Sequence, residues 1–225
     1  MWDAESGELL RRLSNDEDGV LSVAFSPDGS TLATGGGMVE NAVRLWDART
    51  GDLLHTLNWH AKAVKSVAFG PNGGRLASGS EDGTVVIWDA HTGERVRTLA
   101  AHVHPVEGVG FSPEGNLFVS MGRVGATLWD AVSWQELRTI HNVLRDTGTV
   151  AFSPDGGTIS MGTTGDEVQL WGTKTGVLLG SFPGHLTAIN CAAFTPDGRT
   201  LVSGGNDGLV LFWDVSEFAG KSSGQ

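Results

Sequence analysis

Short segments of mixed apolar and polar residues recur along the whole chain, and turn-forming residues separate them. Residues 64–69 (VKSVAF) form one such run, and residues 76–79 (LASG) form the next after a turn. Alternation with a period of two is typical of strands, whereas an amphipathic helix needs a period near 3.6. The abundant Gly and Pro residues would break any long helix. The pattern predicts an all-β fold of many short strands.

One kind of four-residue turn occurs five times. Proline presets the first turn position and glycine tolerates a positive φ, so each tetrapeptide predicts a tight turn. A second turn, clearest at residues 81–83, and a third at residues 92–93 divide each unit into four strands. The five tetrapeptides are Ser26-Pro27-Asp28-Gly29, Gly70-Pro71-Asn72-Gly73, Ser112-Pro113-Glu114-Gly115, Ser153-Pro154-Asp155-Gly156 and Thr195-Pro196-Asp197-Gly198.

Six tryptophans mark the same repeat, with spacings of 44, 42, 41, 42 and 42 residues. All except Trp171 precede an aspartate, and they are Trp2, Trp46, Trp88, Trp129, Trp171 and Trp213. With these marks in register, the chain resembles the WD-repeat β-propeller family from residue 1 to about residue 214. The resemblance implies a β-propeller of five four-stranded WD-type blades. We expect blades at about residues 14–57, 58–99, 100–140, 141–182 and 183–214, and a polar C-terminal tail at 215–225.

The N-terminal strand expected at residues 8–13 leaves two architectures open. It pairs with the strand that ends at Trp213 and closes a ring of five, or the blades form an arc of a longer propeller. Trp2-Asp3 looks like the end of a strand whose beginning is missing, so we expect a truncated N-terminus and a genuine C-terminus. Self-association is expected if the ring is incomplete.

His, Ser and Asp recur at fixed spacing from the turn proline. One reading is a nucleophilic triad. The set occurs twice at equivalent positions, however, whereas an active site occurs once. The family resemblance implies a structural hydrogen-bond chain from Asp through His and Ser to the Trp indole, so no catalytic residue is expected. The two tetrads are His60, Ser78, Asp82 and Trp88 in blade two, and His185, Ser203, Asp207 and Trp213 in blade five.

The tetrad is incomplete in the other three blades. Blade three has Val124 in place of Asp, blade four has Val143, Met161 and Gly165 in the His, Ser and Asp positions, and blade one has Asp16 and Thr34 for His and Ser. We expect blades two and five to be the most rigid, and blades one and four the most mobile.

Charge and composition narrow the classes of partner. The net charge of −11 disfavours nucleic acid and anionic membranes as partners. The one cysteine excludes an internal disulfide, and neither a signal peptide nor a spanning segment is evident. No metal-ligand motif or phosphate loop is present, so no metal and no cofactor are expected. The expected location is cytoplasmic.

The residues that do not repeat predict a partner-binding face. Connections between blades and between the second and third strands meet at one end of a propeller, which family members commonly use to bind peptides and protein loops. Trp59 is either an exposed anchor there or packed against its neighbouring blade, and Trp134 is expected on the opposite face. The predicted face contains Trp59, Lys62, Lys65, Glu81, His104, Glu107, Arg123, Arg145, Asn190 and Asn206.

The favoured function is a non-catalytic scaffold that binds other proteins or peptides. The alternative is a C-terminal sensor domain of a larger signalling protein. A propeller enzyme would need a polar cluster that occurs once, and a lectin would need recurring exposed aromatic residues. Neither feature is found.

Overall fold

The computed structural model describes residues 1–13, 19–37, 39–141 and 146–220. Its secondary structure is almost entirely β, as the sequence predicts. The strands are β1 (Val20–Phe25), β2 (Thr31–Gly36), β3 (Val43–Asp47), β4 (Leu53–Leu57), β5 (Val64–Phe69), β6 (Arg75–Ser80), β7 (Val85–Asp89), β8 (Arg95–Leu99), β9 (Val106–Phe111), β10 (Leu117–Gly122), β11 (Gly125–Asp130), β12 (Glu136–His141), β13 (Asp146–Phe152), β14 (Thr158–Thr163), β15 (Glu167–Gly172), β16 (Leu178–Pro183), β17 (Ile189–Phe194), β18 (Thr200–Gly205) and β19 (Val210–Asp214).

These strands form five antiparallel sheets, which confirms the predicted five-blade propeller architecture. Each of the first four blades has four strands that pair in sequence order, from β1–β4 to β13–β16. Blade five has three strands, β17–β18–β19, in the described part of the chain. Sequential pairing with short connections is the simplest antiparallel topology, and it explains why the same sequence pattern returns every 41 to 44 residues.

The proline–glycine turns lie beside one another along the series of blades. Their glycines all have φ between 68° and 74°, the left-handed region in which an added Cβ is strained. A Cβ on Gly198 would lie 3.4 Å from the ring of Pro154 in the preceding blade, and one on Gly73 would lie 3.6 Å from Pro27. The turn sequence therefore closes its own hairpin and lies close to the turn of the preceding blade.

The hydrophobic core lies between successive blades rather than in one central mass. Each first strand lies beside the first strand of the next blade, in the order β1, β5, β9, β13, β17. At the junction of blades two and three, Val85 and Ile87 pack in one cluster with Val106 and Val109, and all four are buried. Alternate residues of each strand face one neighbouring blade or the other, which gives every blade two apolar faces.

Polar contacts join the first strands of successive blades, which we call the inner strands, across three of the junctions. The backbone N–H of Val67 donates to Ser22 Oγ at 3.1 Å, and that of Val109 donates to Ser66 Oγ at the same distance. The N–H of Ala192 donates to Thr149 Oγ1 at 2.9 Å. These hydroxyls occupy equivalent positions in β1, β5 and β13. We call these contacts the inter-blade clasps.

In the part of the chain that the structure describes, the two ends of the blade series are not joined. Residues 8–13 do not pair with β19. Leu9 instead forms an isolated bridge with Trp2, and the Arg11 side chain donates to the backbone carbonyls of Ala48 and Arg49 in blade one. Of the two architectures that the sequence left open, the described residues do not show a ring closed through residues 8–13. The described sheets form an open series, which is the second architecture that the sequence allowed.

The segment after β19, expected to be a polar tail, contains two apolar residues that pack against the blades. Val215 is buried, and a single 3₁₀ turn, Ser216–Phe218, follows it. Phe218 meets Phe182 edge to face at 6.2 Å between ring centroids. The backbone N–H of Gly220 donates to Asp155 at 3.0 Å. Residues 215–220 thus pack along blades four and five, because Val215 and Phe218 supply apolar surface to that junction.

Candidate functional site

In blade two, the four residues of the repeating set form one continuous hydrogen-bonded chain. His60 Nδ1 lies 3.1 Å from Asp82 Oδ2, and His60 Nε2 lies 2.8 Å from Ser78 Oγ. The indole N–H of Trp88 donates to the same Ser78 oxygen at 2.8 Å. The fully buried Ser78 lies between an imidazole and an indole. It has no open side from which a substrate carbonyl could approach, so the arrangement is suited to structure rather than nucleophilic attack.

Blade five contains the same hydrogen-bonded network of four residues with nearly the same geometry. His185 lies 2.9 Å from Asp207 and 2.8 Å from Ser203, and Trp213 donates to Ser203 at 2.8 Å. The backbone N–H groups of Leu186 and Leu209 donate to Asp207 and hold its pKa down at about 2. Two identical networks 125 positions apart favour a repeated structural role over a single active site.

Burial favours the neutral form of two of the histidines, His60 and His102. Burial lowers the pKa of His60, and the nearby carboxylate of Asp82 only partly opposes this effect. Burial also lowers the pKa of His102 in blade three. For Asp82, burial raises the pKa, but hydrogen bonds from Thr84 and from the Ala61 N–H outweigh it and lower the pKa overall. The pair is therefore a neutral imidazole beside an ionised carboxylate.

The remaining blades keep only parts of the network. In blade three, His102 and Trp129 still meet at Ser120, at 2.9 and 3.0 Å. In blade one, Trp46 donates to Thr34 at 3.0 Å. Blade four has Met161 in the serine position, and the buried Trp171 Nε1 has no hydrogen-bond partner among the described residues. Asp16 and Val143 lie outside the described residues.

A β-bulge at one end of four of the five first strands reorients a side chain that is not part of the repeat. Val64 pairs with Ser80 while Ser66 pairs with Gly79, which leaves Lys65 as the extra residue. The same irregularity in β1, β9 and β17 singles out Leu21, Glu107 and Asn190. Bulges are known for redirecting side chains beside binding sites. We call this end of the blades, with the turns after the second strands, the bulge rim.

Two pairs of predicted face residues meet on the bulge rim. Lys65 Nζ lies 3.6 Å from Glu81 Oε1, and both side chains are partly exposed. Asn190 Nδ2 donates to Asn206 Oδ1 at 2.6 Å. Because Lys65 and Asn190 are equivalent bulge residues, the same cross-strand position carries an ion pair in blade two and an amide pair in blade five.

The other predicted face residues are distributed along the same rim. Lys62, His104 and Arg123 are exposed, and Glu107 is partly buried. Arg145 lies outside the described residues. The bulge residue Leu21 belongs to the rim but was not predicted, since its apolar side chain gave no chemical signal. The recurring inner-strand hydroxyls of the clasps were also missed, although Ser22 and Ser66 share one repeat position.

The two tryptophans outside the repeat have different environments. Trp59 is 52% exposed, and the guanidinium of Arg95 lies 3.7 Å from its ring centroid. Since Arg95 belongs to β8, the outermost strand of blade two, Trp59 combines exposure with contact to a blade. Trp134 adopts φ of 60° at a turn position that Gly51, Gly93 and Gly176 fill in other blades. It packs edge to face on Phe111 and Phe118.

The described residues contain no cluster of His, Cys, Asp and Glu side chains able to hold a metal ion. Within the same residues, no helix has the length and apolar character needed to cross a membrane.

Family comparison agrees with this geometry. The family model of the WD domain, G-beta repeat, matches residues 7–47, 51–89 and 176–214, which is more than half of the chain. The chain therefore belongs to the WD repeat family, whose propellers generally act as non-catalytic protein-interaction scaffolds. The matched segments contain β1–β3 of blade one, β5–β7 of blade two and β17–β19 of blade five, while β9–β15 of blades three and four form similar sheets outside the matched segments.

Curated relatives match over single short segments. A CCR4-associated factor 4 homolog from Vanderwaltozyma polyspora is 33% identical over 64 residues, which cover 28% of this chain and 10% of that protein. The small ribosomal subunit protein RACK1y of Oryza sativa subsp. japonica is 37% identical over 60 residues, 27% of this chain and 18% of that protein. WD repeat-containing protein 18 of Danio rerio is 37% identical over 51 residues, 23% of this chain and 12% of that protein. The matches thus span less than a fifth of each relative.

Proposed function

We propose that this protein is a scaffold that binds a peptide or protein loop along the bulge rim. One observation carries the proposal, namely that equivalent β-bulges place chemically different residues at one end of successive inner strands. The structural repeat does not require these residues to differ, because the bulge residues take no part in the tetrads or clasps. The bulge residues are Leu21, Lys65, Glu107 and Asn190. A row of differing side chains on a repeated frame suits sequence-selective recognition.

The chemistry of the rim favours an extended partner with mixed polarity. Lys62, Lys65 and Arg123 supply positive charge, and Glu81 and Glu107 supply negative charge beside them. The net charge of −11 disfavours nucleic acid, and the expected location is the cytoplasm. Arg123 is exposed on a turn, and arginine is common among the residues that dominate interface affinity.

A displayed library of random peptides, selected against the purified chain, tests the proposal. Affinities of selected peptides are measured by fluorescence polarisation for wild type, Lys65→Ala, Arg123→Ala and Arg49→Ala. Arg49 is a matched control, because it is an exposed arginine in the turn at the opposite end of blade one. We expect Lys65→Ala or Arg123→Ala to weaken binding about fivefold or more, and Arg49→Ala to leave it unchanged. Equal affinity of all four proteins would show that the bulge rim is not the site.

A further inference from the structure

The two ends of the blade series expose faces that are buried at every internal junction. We call the face that a blade turns toward the preceding blade its leading face, and the face that it turns toward the following blade its trailing face. On the leading face of blade one, Val23 is 61% exposed, whereas its equivalents Val67 and Val109 are buried. On the trailing side of blade five, Phe212 is 71% exposed, whereas its equivalents Ile87 and Leu170 are buried. Surfaces of this kind on a folded chain mark an interaction site.

The internal junctions show what each end face fits. At the junction of blades two and three, the trailing residues Val85 and Ile87 pack against the leading residues Val106 and Val109. Blade five presents Val210 and Phe212 at the trailing positions, and blade one presents Val20 and Val23 at the leading positions. The trailing end of the chain therefore has the surface that its own leading end requires.

Polar groups at the ends continue the internal pattern. Cys191 occupies the repeat position from which Ser66 clasps the next inner strand, and its thiol is exposed. The backbone N–H of Val23 occupies the position that receives a clasp in blades two and three, at Val67 and Val109. A weak thiol acceptor and its matching N–H donor thus lie at opposite ends of the chain.

An incomplete sheet lies at the same end as the exposed trailing face. Blade five has no fourth strand after β19 in the described chain. Residues 8–13 lie where an outer strand belongs, since Arg11 contacts the carbonyl of Arg49 as Arg97 contacts that of Ser133 in the next blade. An unpaired strand edge beside an exposed apolar face is a template for another chain.

From these observations we propose that copies of this chain associate head to tail. The trailing face of blade five in one copy covers the leading face of blade one in the next, and residues 8–13 of the second copy lie along β19 of the first. Two copies that meet at both ends form a closed ring, and open addition forms a longer series. The interface is distinct from the bulge rim, so this proposal and the proposed scaffold function can each fail alone.

Mixing of two single-face variants tests the head-to-tail arrangement. Val23→Glu places a carboxylate only in the leading face, and Phe212→Glu places one only in the trailing face. Each variant retains one good face, so each alone is monomeric by light scattering after size exclusion, and an equimolar mixture forms a dimer and nothing larger. Wild type forms dimers or larger species in a concentration-dependent manner, whereas either variant alone stays monomeric to a concentration at least about tenfold above the wild-type midpoint.

Val103→Glu is the matched control, because Val103 is exposed in a connection between blades and belongs to neither end face. It is expected to assemble as wild type does. Circular dichroism checks that each variant is folded, which is expected because the replaced side chains are exposed. Since each copy carries a net charge of −11, added salt screens the repulsion between copies and should strengthen assembly.

Labelling of the thiol gives a second readout. Cys191 is the one cysteine of the chain, and in the assembly it lies at the covered junction. Maleimide labelling of wild type is expected to slow as the protein concentration rises, while Phe212→Glu labels at one rate throughout. Wild type that stays monomeric up to about 100 μM overturns the proposal, since that leaves the interface weaker than most specific contacts. Self-association of either single variant alone also overturns it, because a head-to-tail contact needs both faces.

Discussion

The hydroxyl of Ser66 in β5 accepts the backbone N–H of Val109 in β9 at 3.1 Å. The contact joins the inner strands of blades two and three, and Ser22 makes the equivalent contact one junction earlier. Strands of separate sheets have no ladder between them, so a side-chain acceptor is one of the few ways to satisfy an inward-facing N–H there. The clasp thereby sets the register of one blade against the next.

Replacing this clasp is expected to lower the stability of the whole series. Ser66→Ala leaves the N–H of Val109 without its acceptor, at a cost of about 1–2 kcal/mol in the free energy of unfolding by urea denaturation. Ser181→Ala is the control, since Ser181 is exposed and bonds Glu167 at the surface. It should change the free energy of unfolding by less than about 0.5 kcal/mol. A similar loss in both variants would mean that the clasp adds nothing specific.

Removal of the central hydroxyl of a tetrad should have a larger effect. Ser78→Ala removes the partner of both His60 Nε2 and Trp88 Nε1, so we expect a loss of about 2 kcal/mol or more. A double-mutant cycle with Trp88→Phe isolates the shared bond, because phenylalanine has no N–H to leave unsatisfied. The two substitutions should couple by about 1 kcal/mol. Simple additivity would contradict the network.

Acidification is expected to destabilise the blades through their buried histidines. The pKa values of His60 and His102 are lowered in the folded state, so the unfolded chain binds more protons as the pH falls. The associated stability is fully present above about pH 6.5 and is lost as the pH drops through the folded pKa values. Urea denaturation from pH 8 to pH 5 should show this fall, with a shallower slope in His102→Gln. An unchanged slope in that variant would rule out His102 as a contributor.

The left-handed conformation of Trp134 offers a test that separates backbone strain from packing. Trp134→Gly and Trp134→Ala both remove the contacts with Phe111 and Phe118. Glycine adopts a φ of 60° without a steric cost, while alanine does not. The glycine variant should therefore have a higher melting temperature than the alanine variant, with a free energy of unfolding about 1 kcal/mol larger. If the alanine variant is equally stable, the turn has relaxed to another conformation.

The rate of amide hydrogen exchange should differ between blade two and blade four, two internal blades of which only the first has a complete tetrad. Blade two has a complete tetrad, whereas blade four has a buried indole N–H without a partner at Trp171. Amides of β14 are therefore expected to exchange faster than those of β6. Both blades have two neighbours, so their position in the series does not favour either. Faster exchange in β6 would contradict the stabilising role of the tetrad.

The repeated parts of the fold were accessible from the sequence because each depends on local chemistry. The Trp spacing and the proline–glycine turns predict five sheets. The spacing of His60, Ser78 and Asp82 locates residues that the structure joins through His60, which lies 3.1 Å from Asp82 and 2.8 Å from Ser78. These features recur, so each blade provides an independent sample of the same rule.

Features that occur once were harder to predict, because they depend on contacts between distant segments. The position of Leu9 beside Trp2 rather than β19 depends on how the first blade meets the segment before it. The stacking of Arg95 on Trp59 joins an outer strand to a connection 36 positions earlier. Neither contact has a periodic signal. The bulge that exposes Lys65 is likewise a matter of strand register, which the alternation of side chains does not specify.

Four of the five turn glycines lie close to the turn proline of the preceding blade, and this has a consequence for how such chains change in length. A segment cut from one proline–glycine turn to the next carries one leading face, one trailing face and one turn contact. Duplication or deletion of that segment, about 42 residues long, would bring together two surfaces that already match. Variation in the number of whole blades would therefore preserve the packing between blades in this chain.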